Sequence, residues 1–200
     1  MWQSRLSEFQ QLVIAWLALG FCFSVSGIFS LNFPLIISSL IAVGAGFIGH
    51  ELAHKFVAQR YGWKAGFRLW PQGLLLALII ALISGGQFIF AAPGAVYLVP
   101  LSIGYSSSPS QSKREYGIIS LSGPLMNLVF ASIFLALFRI SDFSILNTIS
   151  FRGFFVNLFL GAFNTVPFPP LDGAKIFSWK KLIWALLAIP TWLALVYIYF

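Results

Sequence analysis

His50, Glu51 and His54, in the stretch GHELAHKF at 49–56, account for three of the seven acidic or histidine side chains in the 200-residue chain. On a helix, positions i and i+4 lie one turn apart on the same face. His50 and His54 therefore offer two imidazole nitrogens to one metal ion. Glu51 stands beside them, within reach of a water that such an ion would activate. The H-E-x-x-H pattern suits zinc, because neutral imidazoles bind it and the glutamate accepts the proton that water gives up.

Two histidines leave a catalytic zinc one protein ligand short, with a fourth position kept for water or substrate. The chain has no third histidine, and its one cysteine, Cys22, lies inside an apolar run. A disulfide within the chain and a cysteine metal site are both excluded. The missing ligand is then an acidic side chain or a non-ionisable oxygen. Glu8 and Glu115 are expected in polar loops, and Asp142 in a loop across the membrane from the histidines. Asp172 remains, in NTVPFPPLDGAKIF. There Pro167, Pro169 and Pro170 forbid regular helix and Gly173 permits a sharp turn into the next helical piece.

The elements that must position these groups are membrane spans. The chain is 59% hydrophobic and 8% charged and has 22 phenylalanines, whereas soluble domains carry about 25% charged residues. The net charge of +7 does not read as a nucleic-acid footprint, because the basic residues fall in short clusters between apolar runs. Residues 12–29, 34–58, 116–138, 151–166 and 182–200 are each long or apolar enough to cross a bilayer. The first is read as a retained helix rather than a signal peptide, since no small-x-small cleavage site ends it. YSSSPSQSKRE, from Tyr105, is read as a solvated loop.

Residues 73–103 are ambiguous. A 12-residue apolar stretch, 73–84, ends at Gly85-Gly86, and QFIFAAPGAVYLV follows with Pro93-Gly94 in its middle. We read a short helix that turns back through an extended segment. WKAGFRLWP at 63–71 is a candidate strand partner, because extended backbone at membrane depth must be paired or covered. Charge bias agrees. If 73–103 returns to the side it left, ten Lys and Arg lie inside and only Arg139 and Arg152 outside; if it crosses, the split is seven to five. The returning topology also puts His50 about 7 Å of helix from Lys55 and Asp172 about 12 Å from Lys180, at comparable depth below one membrane face.

GHELAHKF, SGPLMNLVF at 122–130 and NTVPFPPLDG at 164–173 together resemble the site-2 protease family of intramembrane zinc metalloproteases. The resemblance implies an all-α polytopic fold of five to six transmembrane helices, with a re-entrant helix and short β segments near the active site. It implies Zn2+ held by His50, His54 and Asp172, with Glu51 as catalytic base. It further implies substrate contact by Asn127 and Asn164, and a strand in FIFAAPGAVYLV that pairs with an unwound substrate. The expected partners are a membrane-spanning protein substrate and the lipid bilayer. Residues 1–200 are expected to form one integral membrane domain, with N-terminus and active site on the cytoplasmic side of a prokaryotic cell membrane. The alternative is a divalent metal-ion transporter or channel using the same cluster; the lack of an inverted repeat and of a second intramembrane acidic site weighs against it.

Overall fold

The computed structural model describes residues 6–100 and 109–199. The protein is an all-α polytopic membrane protein with one two-stranded sheet, and among the described residues five helical spans are long and apolar enough to cross a bilayer. Helix α1 (Glu8–Phe29) opens on a capping box, in which Ser7 and Gln10 satisfy each other's backbone N–H groups. Asn32 caps α2 (Phe33–Val43) by accepting from the Leu35 N–H. A π-helical turn, Gly44–Ile48, joins α2 to α3 (Gly49–Arg60), so the second span is continuous but loosened just before His50.

Strand β1 (Trp63–Leu69) pairs antiparallel with β2 (Gly94–Pro100), in a register that sets Trp63 opposite Pro100 and Leu69 opposite Gly94. The expected partnership of these two segments is therefore present. Between the strands lies α4 (Pro71–Ile83), whose 13 residues extend about 20 Å, against a hydrocarbon core of about 30 Å. The Trp70 N–H donates to the Pro93 carbonyl at 2.8 Å, so the excursion leaves and returns at adjoining backbone. That is the re-entrant geometry. The outer edge of β1 is closed by α1: Glu8 accepts from Phe67 N–H at 3.1 Å and Gln11 from Leu69 N–H at 3.0 Å. Among the described residues, the outer edge of β2 has no strand partner.

Three expectations need correction. Glu8 is not in a polar loop but is the first residue of α1, paired with Lys55 at 2.8 Å. Glu115 is not in a loop either: it is buried in α5 (Pro109–Ile140) and accepts from Trp63 Nε1 at 2.8 Å. The Ser-rich stretch is helical from Pro109 onward, while residues 105–108, and 101–103 of the extended segment, lie outside the described residues. The reason is length. Helix α5 has 32 residues, about 48 Å, so its polar first turns project past the hydrocarbon. Hydropathy marks only the part that meets lipid.

Helix α6 (Ser144–Asn164) packs between α2 and α5. Its Val156 and Leu160 join Leu19, Phe23, Val43 and Phe47 in the main core, and Phe23 meets Phe159 edge-on at 5.6 Å. After the proline-rich turn come α7 (Asp172–Trp179) and α8 (Lys181–Tyr199). Helix α8 is tied back to the end of α6 by Trp184 Nε1, which donates to the Thr165 carbonyl at 2.7 Å.

Candidate metal centre

His50 and His54 project from one face of α3, with ring centroids 4.5 Å apart. The break after α6 brings Asp172 to them. Gly173 makes the approach possible: a Cβ there would collide with the Thr165 and Val166 carbonyls at the end of α6. Asp172 Oδ2 lies 3.1 Å from His50 Nε2 and 2.9 Å from His54 Nε2, and the two Nε2 atoms are 2.9 Å apart. All three residues are buried.

Each ligand is held from behind. The Ile119 carbonyl of α5 accepts from His54 Nδ1 at 2.7 Å. A carbonyl only accepts, so the His54 proton sits on Nδ1 and its Nε2 lone pair faces the other two donors. Asn127 Oδ1 lies 2.6 Å from His50 Nδ1. Lys175 reaches the outer oxygen of Asp172, Oδ1, at 3.3 Å, leaving Oδ2 toward the histidines.

The SGP motif explains how α5 comes this close. A Cβ at Gly123 would lie 2.5 Å from His50 Nε2 and collide with His54 Nε2. Pro124, one residue on, has no N–H, so the Ser120 carbonyl, next to the Ile119 carbonyl that His54 uses, has no i+4 helical donor. Ser122 donates to the same Ile119 carbonyl at 2.6 Å.

The donor set fits a small divalent ion. Tetrahedral zinc with bonds of about 2.0–2.2 Å places neighbouring donors about 3.3 Å apart; these stand 2.9–3.1 Å apart and need to open by only a few tenths of an ångström. Lone pairs converging at this distance call for a cation. Glu51 adds an independent sign: its Oε2 is buried without a hydrogen-bond partner, beside the ligands and on the wall of the same cavity.

A protein of Methanocaldococcus jannaschii named "Putative zinc metalloprotease" is 42% identical to this chain over 186 residues, covering 92% of this chain and 90% of that protein. The chain belongs to that zinc metalloprotease family. No family model and no solved structure matches it. In this metalloprotease, zinc is the cofactor to which the His50, His54 and Asp172 donors correspond.

The cavity over the centre measures about 50 Å³, and one water needs about 10–15 Å³. Its walls include Gly94, Val96 and Leu98 of β2, Pro170 and Leu171 of the proline-rich turn, and Asn164. Asn164 lines the cavity while its amide nitrogen bonds back to the Leu160 carbonyl at 3.0 Å. Asn127 also lines the cavity, fully buried on the Nδ1 side of His50. Sequence reading gave no site role to Ser122 and Gly123, quoted only within the SGP motif, or to Lys175, counted only as a charge, and it passed over Asn157. Asn157 did carry a signal, as an amide inside the apolar run FVNLFLGAFN and seven residues before Asn164, on the same helix face.

Proposed function

We propose that this protein is an intramembrane zinc metalloprotease of site-2 type, hydrolysing peptide bonds of membrane-spanning substrates. The observation that carries the reading is the unpartnered Oε2 of Glu51 beside three convergent, buried ligand atoms. Bound zinc, held by His50, His54 and Asp172, supplies a Lewis acid that polarises a carbonyl and lowers the pKa of water. Glu51 orients the attacking water, takes its proton at the carboxylate and returns it to the leaving nitrogen. An unpaired glutamate oxygen suits that work, because it has no structural bond to give up.

A substrate helix has to unwind before its backbone carbonyls become reachable. Strand β2 provides the place: Gly94, Val96 and Leu98 line the cavity, its outer edge has no strand partner among the described residues, and the outer edge of β1 is already taken by Glu8 and Gln11. An extended segment added to β2 would lie over the histidines, held by backbone hydrogen bonds that tolerate varied sequences. Asn164, which lines the same cavity, would contact it.

Water reaches the site past the proline-rich turn. A wider pocket lined by Lys113, Tyr116, Pro169 and Ser178 shares Pro170, Leu171 and Lys175 with the catalytic cavity. With the lysines on the cytoplasmic side, this opening and the N-terminus face the cytoplasm of a prokaryotic cell. The test is incubation of purified protein in detergent with a labelled single-span peptide, with and without a zinc chelator. Cleavage that stops with chelator and with Glu51→Gln is the expected result. Cleavage surviving Glu51→Gln would overturn the mechanism, and zinc uptake into vesicles with no cleavage would replace it with transport.

A further inference from the structure

We propose that Asn127 and Asn157 form an amide relay, anchored on backbone carbonyls, that holds His50 as its Nδ1–H tautomer and leaves Nε2 bare for the metal. This rests on the reading of His50 as a zinc ligand. Both asparagines are fully buried. Neither is a catalytic residue here, since both act through His50; they are positioning residues.

The orientation follows from which atoms are able to donate. Asn157 faces two backbone carbonyls, Gly153 at 2.8 Å and Ala42 at 3.4 Å. Carbonyls only accept, so the amide nitrogen of Asn157 points at them and its Oδ1 points away, toward Asn127 Nδ2 at 3.4 Å. Asn127 Nδ2 also donates to the Gly46 carbonyl at 3.0 Å. Both N–H groups of Asn127 are thereby engaged, and its Oδ1 turns to His50 Nδ1 at 2.6 Å. An oxygen at that distance requires the proton on Nδ1, which puts the lone pair on Nε2. A flipped Asn127 would present N–H to Nδ1 and force the proton onto Nε2, where it blocks metal binding.

The π-helical turn belongs to the same device. Gly46 lies inside it, and its carbonyl, which also accepts from the Gly49 N–H, has a second lone pair for the Asn127 side chain. A Cβ at Gly46 would lie 2.7 Å from Asn157 Oδ1, so glycine is what lets the relay pass the π-helical turn at this point. The relay also accounts for Asn127 without a substrate, because no N–H of its amide is left to point into the cavity.

The chain's two histidines make the test direct. Untagged full-length protein carrying 15N-labelled histidine is prepared zinc-free in detergent, and the ring tautomers are read by NMR, with zinc affinity measured by chelator competition. His54 is the internal control, since it answers to Ile119. Asn127→Leu is expected to remove the Nδ1–H bias of His50 alone and weaken zinc binding about 10–100-fold. Asn157→Leu leaves the Gly46 bond in place and is expected to weaken it about 3–10-fold in an otherwise wild-type chain, with no further loss in the Asn127→Leu background.

If Asn157→Leu does not accumulate, Asn157→Ser, whose hydroxyl can bond back to Gly153, is read in the same way. A purely structural role would lower the melting temperature with the His50 spectrum unchanged, and a substrate role would raise KM with tautomer and zinc affinity unchanged. Either result, or additive losses in the double variant, overturns the relay. Wild-type zinc affinity in His50→Gln would instead overturn the metal-ligand reading on which it rests.

Discussion

Gly123→Ala tests the centre with a single methyl group. The added Cβ would lie 2.5 Å from His50 Nε2, whereas ordinary contact begins near 3.4 Å, so helix α5 and the histidines must part by about 0.9 Å. Overpacking of this kind costs about 1–3 kcal/mol. Alanine in place of glycine returns about 0.8–1.0 kcal/mol of helix propensity. The net destabilisation is then about 0–2 kcal/mol, and the variant should fold. Function fares worse, because a misplacement of about 1 Å in a catalytic constellation costs about 100-fold. The assay is metal content per chain and zinc affinity by chelator competition, with a circular-dichroism melt for folding. Gly161→Ala is the control, since its new Cβ would make only ordinary contacts of 3.5–3.8 Å. Gly123→Ala binding zinc within threefold of wild type would refute the reasoning that α5 is gauged against the histidine pair.

Glu51→Gln should retain zinc, because it removes no ligand, while peptide cleavage falls about 100- to 10,000-fold; metal analysis beside the cleavage assay separates the two. Asp172→Ala should lower bound zinc well below one per chain, and an unchanged metal content would remove Asp172 from the ligand set. Glu8→Ala unties the outer edge of β1 from α1 and breaks the pair with Lys55. That pair is about one-third exposed, so its loss costs no more than about 1 kcal/mol, read as a small fall in melting temperature with zinc content intact. Trp184→Phe removes the donor to the Thr165 carbonyl and should cost about 0.5–1.5 kcal/mol in the same melt.

What could be read from residues alone followed the range of the interaction. The facing of His50 and His54 is a property of any helix, so their spacing sufficed. Asp172 required elimination among five acidic residues and a depth argument, and the structure does bring it to the histidines. The pairing of β1 with β2 was legible because backbone at membrane depth cannot stay unpaired, although its register was not. Glu8 and Glu115 were misplaced for one shared reason: apolar runs end where lipid ends, not where helices end. The roles of Gly123 and Asn157 were not legible, although one lies in a quoted motif and the other stands out as an amide in an apolar run, since their importance lies in what α5 and α6 bring against α3.

The polar cluster at membrane depth becomes intelligible once the atoms are sorted by direction. The outward-facing atoms are satisfied by protein: His54 Nδ1 by Ile119, His50 Nδ1 by Asn127, Asp172 Oδ1 by Lys175. The inward-facing ones, two Nε2, Asp172 Oδ2 and Glu51 Oε2, are acceptors without a donor of their own among them. An ionisable group at the bilayer centre costs about 2.5–3.5 kcal/mol on insertion scales, and outward hydrogen bonds offset only part of that. The charges complete the account. With both histidines neutral, the carboxylates of Asp172 and Glu51 carry minus two and Lys175, on the outer oxygen of Asp172, returns plus one, so the cluster keeps a net negative charge that a cation among the inward-facing atoms would offset. A cation held by His50, His54 and Asp172 would thus offset part of the cost of placing two histidines and a glutamate on α3.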